Sequence, residues 1–373
     1  MIGAAAHQRL DSLDVFRGLT IAAMILVNTP GTWSAVYPQL DHAVWHGWTA
    51  TDLVFPFLLF AMGAAVPFAM MRRRSTSQPI TPHVVRRAAI LFAVGLVLNA
   101  IETPPPLYWA TFRIPGVLQR IAIVFVAVTW ITEKTSRRIQ IVIAAALLLG
   151  YWAAMTLTPV PGAGAGVLTP AGNLASYLDR AIFGRHLLTP LSDPEGLLST
   201  LPAIATALCG VFAGDWLTES NGTRRSFWLF TAGLTATLTG LAWARLLHFP
   251  INKNLWTSSF ALFSAGFAAQ VLAVCHWLVD VRGWRRWSRP FVVYGRNALA
   301  AYFLSVGTDS LLSRWLVADG SSLKFVMYRG AFISWLRPAY SAELTSLAYA
   351  IAYVVVWGLI LGEMYRRRVF LSI

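Results

Sequence analysis

The sequence predicts an all-α, polytopic membrane protein: one domain over residues 1–373, about ten transmembrane helices, both termini cytoplasmic. Three observations lead there. Hydrophobic residues make up 57% of the chain and charged residues only 12%, half of the roughly 25% that a soluble domain carries. Apolar runs recur at close to the ~20 residues that cross a bilayer. The net charge of +14 is gathered in short clusters on alternate connections, as the positive-inside rule distributes charge among cytoplasmic loops.

The first apolar run covers Phe16–Val36 and is followed by Asp52–Met71, Val84–Ile101, Val117–Thr132 and Ile139–Leu157. After a long loop come Leu197–Leu217, Phe227–Leu247, Trp256–Asp280, Phe291–Val306 and Leu344–Gly362. Leu311–Val317 reads as a short interfacial helix. The basic clusters are Arg72–Arg74 (with Ser75 beside it), Arg86–Arg87, Glu133–Arg138, Thr223–Arg225, Arg282–Arg289 and Arg366–Arg368. These connections are expected in the cytoplasm, and they account for the charge without nucleic acid. The other connections mix signs: Asp41, Glu102, Asp179, Asp193 and Glu195 stand among Arg113, Arg180, Arg185 and Lys253.

The first run is too long for a signal-peptide core and has no small-residue cleavage pattern, so it is expected to stay as a span. Cys209 and Cys275 lie inside apolar runs and read as small core residues. No Walker loop, dinucleotide fingerprint or metal-spaced His/Cys cluster occurs, and no metal is expected. The glycine-rich Pro159–Gly172 segment has no strand–helix context and reads as a flexible loop. No internal repeat is evident, which disfavours transporters built from repeated halves.

Polar residues at membrane depth are costly and usually functional. Asn28 interrupts the first run ~18 Å above a cytoplasmic start at Phe16, counting ~1.5 Å per residue; it is either catalytic or a polar helix–helix contact. "DHAVWHGWTATD" sets His42, His46, Asp41 and Asp52 at the outer mouth of the second run. A neutral imidazole can move a proton or attack an acyl group, and a nearby carboxylate can orient it. Asp52 suits that task, while Asp41 reads as solvated. His42 is a catalytic candidate, with an interfacial histidine beside Trp45 and Trp48 as the competing reading; His46 reads as interfacial. Gln119 and Arg120 fall inside the fourth run, where a guanidinium needs an anion, a ligand or water. Asn252, Lys253 and Asn254 lie in "HFPINKNLW", which contains no acid, and form either a polar ligand site or a hydrated loop. Arg17, Arg296 and Asn297 stand near the cytoplasmic side, where cations suit an anionic cofactor; for Arg17, pairing with Asp14 one helical turn away is the alternative.

Taken together, "LDVFRG", "VNTPG", "DHAVWHGWTATDLVFPFLLFAMG", "RIPGVLQRI", "DPEGLLSTL", "PINKNLW" and "YGRNALAAY" resemble the heparan-α-glucosaminide N-acetyltransferase family, in order and over almost the whole chain. The first motif alone also looks like the opening of an O-acyltransferase family acting on bacterial surface sugars. The resemblance implies transmembrane acetylation: acetyl-CoA is supplied from the cytoplasm and the amine of a glucosamine accepts the acetyl group on the far side. The family's active-site histidine falls on His42 and its first-span asparagine on Asn28. Asp52 joins them as a candidate catalytic residue. Arg17, Arg120, Arg296 and Asn297 are the candidate cofactor-binding residues, and Gln119, Asn252, Lys253 and Asn254 the candidate substrate-binding residues.

The chain is expected to carry no large outer-face domain before its first span, and its loops read as shorter than those of the animal enzyme. A small amino sugar or a glucosamine-bearing oligosaccharide therefore fits better as acceptor than heparan sulfate. Direct transfer and an acetyl-histidine intermediate both remain open. The competing functions are an amino-sugar permease, with Arg120, Asn254 and Asn297 as contacts, and a glycan O-acyltransferase. The remaining expectations are a bacterial inner-membrane location, contact with membrane lipids, a homodimer and no nucleic-acid partner.

Overall fold

The computed structural model describes residues 10–74, 80–102, 108–218, 222–337 and 339–370, so Ser75 lies outside the described residues. The helices are α1 Asp11–Asn28, α2 Val54–Arg74, α3 Ile80–Glu102, α4 Val117–Lys134, α5 Arg137–Leu157, α6 Leu174–Phe183, α7 Thr200–Leu217, α8 Gly222–Leu246, α9 Ser258–His276, α10 Arg289–Arg296, α11 Ala298–Arg314, α12 Leu323–Tyr328, α13 Ser334–Leu336 and α14 Ala342–Arg366. Among the described residues there is no β-strand; Val160–Gly164 and Leu316–Ser322 are isolated bridges.

Among the described residues, seven helices are long and apolar enough to cross a membrane: those within Thr51–Arg72, Pro82–Glu102, Arg137–Leu157, Thr200–Leu217, Gly222–Leu246, Ser258–Val281 and Ala342–Arg366. The other three expected spans differ for local reasons. α1 carries Asp11, Asp14 and Arg17, and α4 carries Arg120, Glu133 and Lys134. α11 is 17 residues long. Three boundaries are corrected. The first helix stops at Asn28, where Thr29-Pro30-Gly31 removes a donor and frees the backbone. The expected continuous span Phe291–Val306 breaks at Asn297, which ends α10 and begins α11 with φ −116° and ψ 34°. Leu311–Val317 is no separate interfacial helix: α11 continues through Arg314, and Leu316 then bridges to Ser322.

Small residues decide which helices can meet closely. A Cβ on Gly18 would stand 1.7 Å from the Phe291 carbonyl oxygen, and one on Gly295 would stand 2.0 Å from that of Asp14. α1 and α10 thus touch backbone to backbone, and Arg17 and Arg296 come to the same place. α2 lies along α7, α8 along α9 and α3 against α4. Leu59, Ala203, Leu208, Val211 and Phe260 lie in one buried core formed by α2, α7 and α9. α5 and α8 leave most of their surface facing outward, as the lipid-facing helices of a bundle do.

At one end the loops are tied together: Gly47 N–H donates to the Ile251 carbonyl at 2.8 Å, Ile114 N–H to that of His186 at 3.1 Å, and Trp45 Nε1 to that of Leu168 at 2.8 Å. The arginines near the start of α1 and the ends of α2 and α10 gather at the other.

Candidate active site

The turn before α2 carries a histidine–carboxylate pair. His42 Nδ1 lies 2.8 Å from Asp52 Oδ1. The other carboxylate oxygen accepts from Ala43 N at 3.1 Å, Thr49 N at 3.0 Å and Thr49 Oγ1 at 3.2 Å. Asp52 is thus held on every side, and its side chain is 1% exposed whereas that of His42 is 44% exposed. An ionised carboxylate only accepts, so it assigns the hydrogen to Nδ1 and leaves the lone pair on Nε2. Asp41 accepts from His42 N–H at 2.7 Å and stays exposed, which fixes the turn.

A third partner arrives from 211 residues away. Lys253 Nζ is 3.1 Å from His42 Nδ1 and 3.3 Å from Nε2. Being nearly equidistant, it rests against the ring rather than on one lone pair. It also stands 3.9 Å from Asp52 Oδ1. The expectation that Lys253 has no acid is thereby corrected: its own loop holds none, but the fold brings Asp52 to it. Burial pulls Lys253 below the ordinary lysine range, against the opposing pull of Glu195 and Asp52. Asn252 Nδ2 meets His46 Nδ1 at 3.2 Å, so His46 braces this loop. Asn254 is half-buried with no hydrogen bond among the described residues.

Asn28 is the last residue of α1, which packs against the Thr51–Leu53 turn containing Asp52. Its side chain makes no hydrogen bond among the described residues, to His42 or otherwise. Gln119 is 2% exposed, wedged where a Cβ on Gly95 or Gly116 would stand 2.4 and 2.6 Å from its Oε1. Arg120 is 1% exposed and donates through Nη2 to the Gly196 carbonyl at 2.9 Å. Neither belongs to the His42 cluster.

Beneath this end lies a cavity of about 590 Å³ between α1, α2, α3, α4 and the α10–α11 break, within the ~300–1,000 Å³ of ligand pockets. Arg17, Arg72, Arg86, Arg87, Arg296 and His83 line its outer part, and Met70, Val66, Met62 and Leu58 of α2 form an apolar wall. Asp14 stands between two of the arginines, 3.6 Å from Arg17 and 3.7 Å from Arg296. The expected Asp14–Arg17 contact is present, yet one buried acid faces two cations, and the mouth keeps surplus positive charge. From Arg72 to Leu58 is fourteen residues of helix, or ~21 Å. Leu58 lies six residues from Asp52, or ~9 Å. Asn297 is buried at the break and donates to the Val369 carbonyl at 3.3 Å; it holds the break while its neighbours line the cavity. Arg120 is not among the lining residues.

Sequence reasoning treated Arg72, Arg86 and Arg87 as topology alone. Their convergence with Arg17 and Arg296 depends on helix packing, and no spacing in the sequence reports it. The joining of Lys253 to His42 was also missed, although both belong to motifs on the same face.

The loop that holds Arg120 has its own ionic frame. Arg113 donates to both oxygens of Asp193 at 2.8 and 2.7 Å, and also bonds Glu195. Burial opposes its charge, yet these acids carry Arg113 above its ordinary range. Asp179 on α6 accepts from Leu197 N–H at 2.9 Å. Burial and nearby Asp193 push it up to about 6, although the Leu197 bond pulls it down. A carboxylate raised above its ordinary 3.8 binds its proton more tightly when folded, so the fold gains stability as pH falls from neutrality through 6 towards 4. Asp179→Asn is expected to stabilise the protein at pH 7.5 by on the order of 2 kcal/mol. The gap in melting temperature from the native chain should narrow by about half by pH 5 and close towards pH 4; a constant gap across that range contradicts the assignment.

Residues 9–251 match the model of the family described as heparan-alpha-glucosaminide N-acetyltransferase, catalytic. The heparan-alpha-glucosaminide N-acetyltransferase of Mus musculus is 30% identical over 86% of this chain and 57% of its own length. That of Homo sapiens is 28% identical over 99% of this chain and 61% of its own length. The chain thus spans about three fifths of the relatives it matches. The match covers His42, Asn28 and Asp52 and stops just short of Lys253. With about two thirds of its length matched by that family model, the chain belongs to the heparan-alpha-glucosaminide N-acetyltransferase catalytic family.

Proposed function

We propose that the protein moves an acetyl group from cytoplasmic acetyl-CoA to the amine of a glucosamine-type sugar on the far side of a bacterial inner membrane. In this reading α1, α4 and α11 join the seven apolar helices as spans, both termini are cytoplasmic, and His42 and Lys253 face outward. A small amino sugar, or an oligosaccharide ending in glucosamine, is the acceptor.

The observation that carries the proposal is the cavity. Its basic mouth opens at the end opposite His42, and its apolar wall climbs toward the His42–Asp52 pair. That shape and charge suit a nucleotide with a long thin arm: Arg17, Arg72, Arg86, Arg87 and Arg296 would hold the phosphates, and the α2 wall would shelter the arm. When bound, acetyl-CoA supplies the acetyl group as an activated thioester. The chain's own groups do the rest. In direct transfer His42 Nε2 would take the proton of the attacking amine and pass it to the leaving thiolate; in an acetyl-histidine route the same lone pair would instead bond the acyl carbon as the thiolate leaves, and recover as the amine takes the acetyl group. Asp52 holds the ring and steadies the imidazolium. Lys253 and the Asn28 amide offer donors to the oxygen on which negative charge develops.

Purified protein given acetyl-CoA and glucosamine should release free CoA and yield N-acetylglucosamine. No CoA release with any amino sugar, alongside sugar uptake into vesicles, would favour the permease. Arg296→Ala should weaken CoA binding by roughly 1.5–3 kcal/mol, the worth of a charge-assisted bond, while Arg17 remains as the counter-charge of Asp14. Calorimetry with unchanged CoA affinity would remove Arg296 from the donor site.

A further inference from the structure

A buried guanidinium normally has an acid beside it. Arg120 has none within ion-pairing distance among the described residues, and its Nε and Nη1 have no hydrogen-bond partner. What it holds instead are the Gly196 carbonyl, the Ser199 hydroxyl and the face of a tryptophan: its guanidinium carbon lies 5.1 Å from the centroid of Trp256.

Trp256 is itself unusual. It is 1% exposed and sits at φ 48°, a left-handed conformation that a large side chain adopts only when its surroundings hold it there. Its ring is gripped from several directions. Phe55 and Phe260 meet it edge-on at 5.2 and 5.5 Å, and its Nε1 donates to Thr206 Oγ1 at 3.2 Å. Its backbone N–H closes a turn onto the Lys253 carbonyl at 3.0 Å. Inside that turn Leu255 N–H donates to Asn252 Oδ1 at 2.9 Å. These contacts hold the turn, and in it Lys253 rests against His42. Phe55 follows Asp52 by three residues, so the ring packs against the same segment that carries the carboxylate.

We infer that Arg120 is a positioning residue: by clamping the face of Trp256 it holds the Asn252–Trp256 turn, and through it sets Lys253 against His42. Arg120 does not touch the donor. The role rests on the proposed acetyl transfer, in which Lys253 faces the developing oxyanion. Gly196 and Ser199 anchor the clamp from the Asp193–Ser199 loop, so that loop, Arg120, Trp256 and Lys253 form one mechanical series.

Two kinds of measurement on the full-length purified chain test this. In turnover with acetyl-CoA and glucosamine, Arg120→Met should lower kcat by about 10- to 100-fold, the scale of a misplaced catalytic group. KM for both substrates should stay within about threefold, and calorimetric CoA affinity should be unchanged. Arg120→Lys should restore most of the rate, and Trp256→Phe should lose it despite keeping the arginine. Lys253→Met should lower kcat, and Arg120→Met added to it should cost little more, because both remove the same contact. A raised KM for either substrate at normal kcat would overturn the inference, because Arg120 would then bind a substrate. So would multiplicative losses in the double variant. The second measurement needs no turnover: the rate at which diethyl pyrocarbonate modifies His42, read by mass spectrometry. Arg120→Met and Trp256→Phe should change it severalfold and in the same direction as Lys253→Met; an unchanged rate in both would also overturn the inference. A native chain that transfers no acetyl group counts against the proposed function alone. Should Arg120→Met fail to fold, Arg120→Lys and Trp256→Phe carry the comparison.

Discussion

His42→Ala is expected to abolish acetyl transfer while leaving acetyl-CoA bound. A positioned general base contributes typically ~10²–10⁴-fold, and more is lost if the ring also carries the acetyl group. Binding should survive because the arginine-lined mouth lies far down α2 from the histidine. The side chain is 44% exposed, so removing it opens no cavity in the core. Turnover at saturating substrates is the decisive measurement, with CoA calorimetry as its control. His46→Ala should cost less than about tenfold, because that ring braces the loop through Asn252 rather than meeting the acetyl group. Near-normal turnover in His42→Ala, or a larger loss in His46→Ala, would reject the assignment.

Asp52→Asn should be nearly as damaging, about 10³–10⁴-fold in kcat, for a reason that lies in its hydrogen bonds. One carboxylate oxygen takes three donors, from Ala43 and Thr49. An asparagine there must turn its carbonyl toward those donors, which leaves its NH₂ facing His42 Nδ1. The ring must then accept at Nδ1 and carry its hydrogen on Nε2, where the lone pair is needed. The fold should survive, since the backbone bonds from Ala43 and Thr49 and the Thr49 hydroxyl bond persist. Ring-nitrogen NMR of the variant should report the exchanged tautomer. Full activity in a folded Asp52→Asn would mean that the carboxylate only shapes the turn.

The arrangement was partly legible in the sequence because its pieces are local. His42 and Asp52 are ten residues apart across one turn, and the proximity of a histidine to an acid at a helix mouth can be read from the string. The loops around His42 and Lys253 could be expected on one face by counting apolar runs. Lys253 could be placed on that face but not against His42, because closing 211 residues depends on how α9 packs between α2 and α7. Arg120 was read as a cofactor contact, since a buried charge without a visible acid suggests a ligand. Its actual neighbours, Gly196 and Ser199 of one loop and Trp256 of another, come from two distant segments.

By itself, the sequence determined the class of molecule and the family, and it supplied the candidate site residues. Hydrophobic content and the ~20-residue period of apolar runs dictate a helical bundle, because backbone groups in lipid must bond within their own segment. The motifs determined the family and singled out His42, Asn28 and Asp52. Only the tertiary structure decided where helices break and which charges meet. The interruption at Asn297 and the end of α1 at Asn28 are set by packing and proline, not by loss of hydrophobicity. The meeting of Arg17 and Arg296 needed Gly18 and Gly295 to bring two backbones into contact. Side-chain chemistry follows composition and local spacing. Long-range charge placement follows close packing between helices, which depends on the surfaces of both partners and is written in neither one alone.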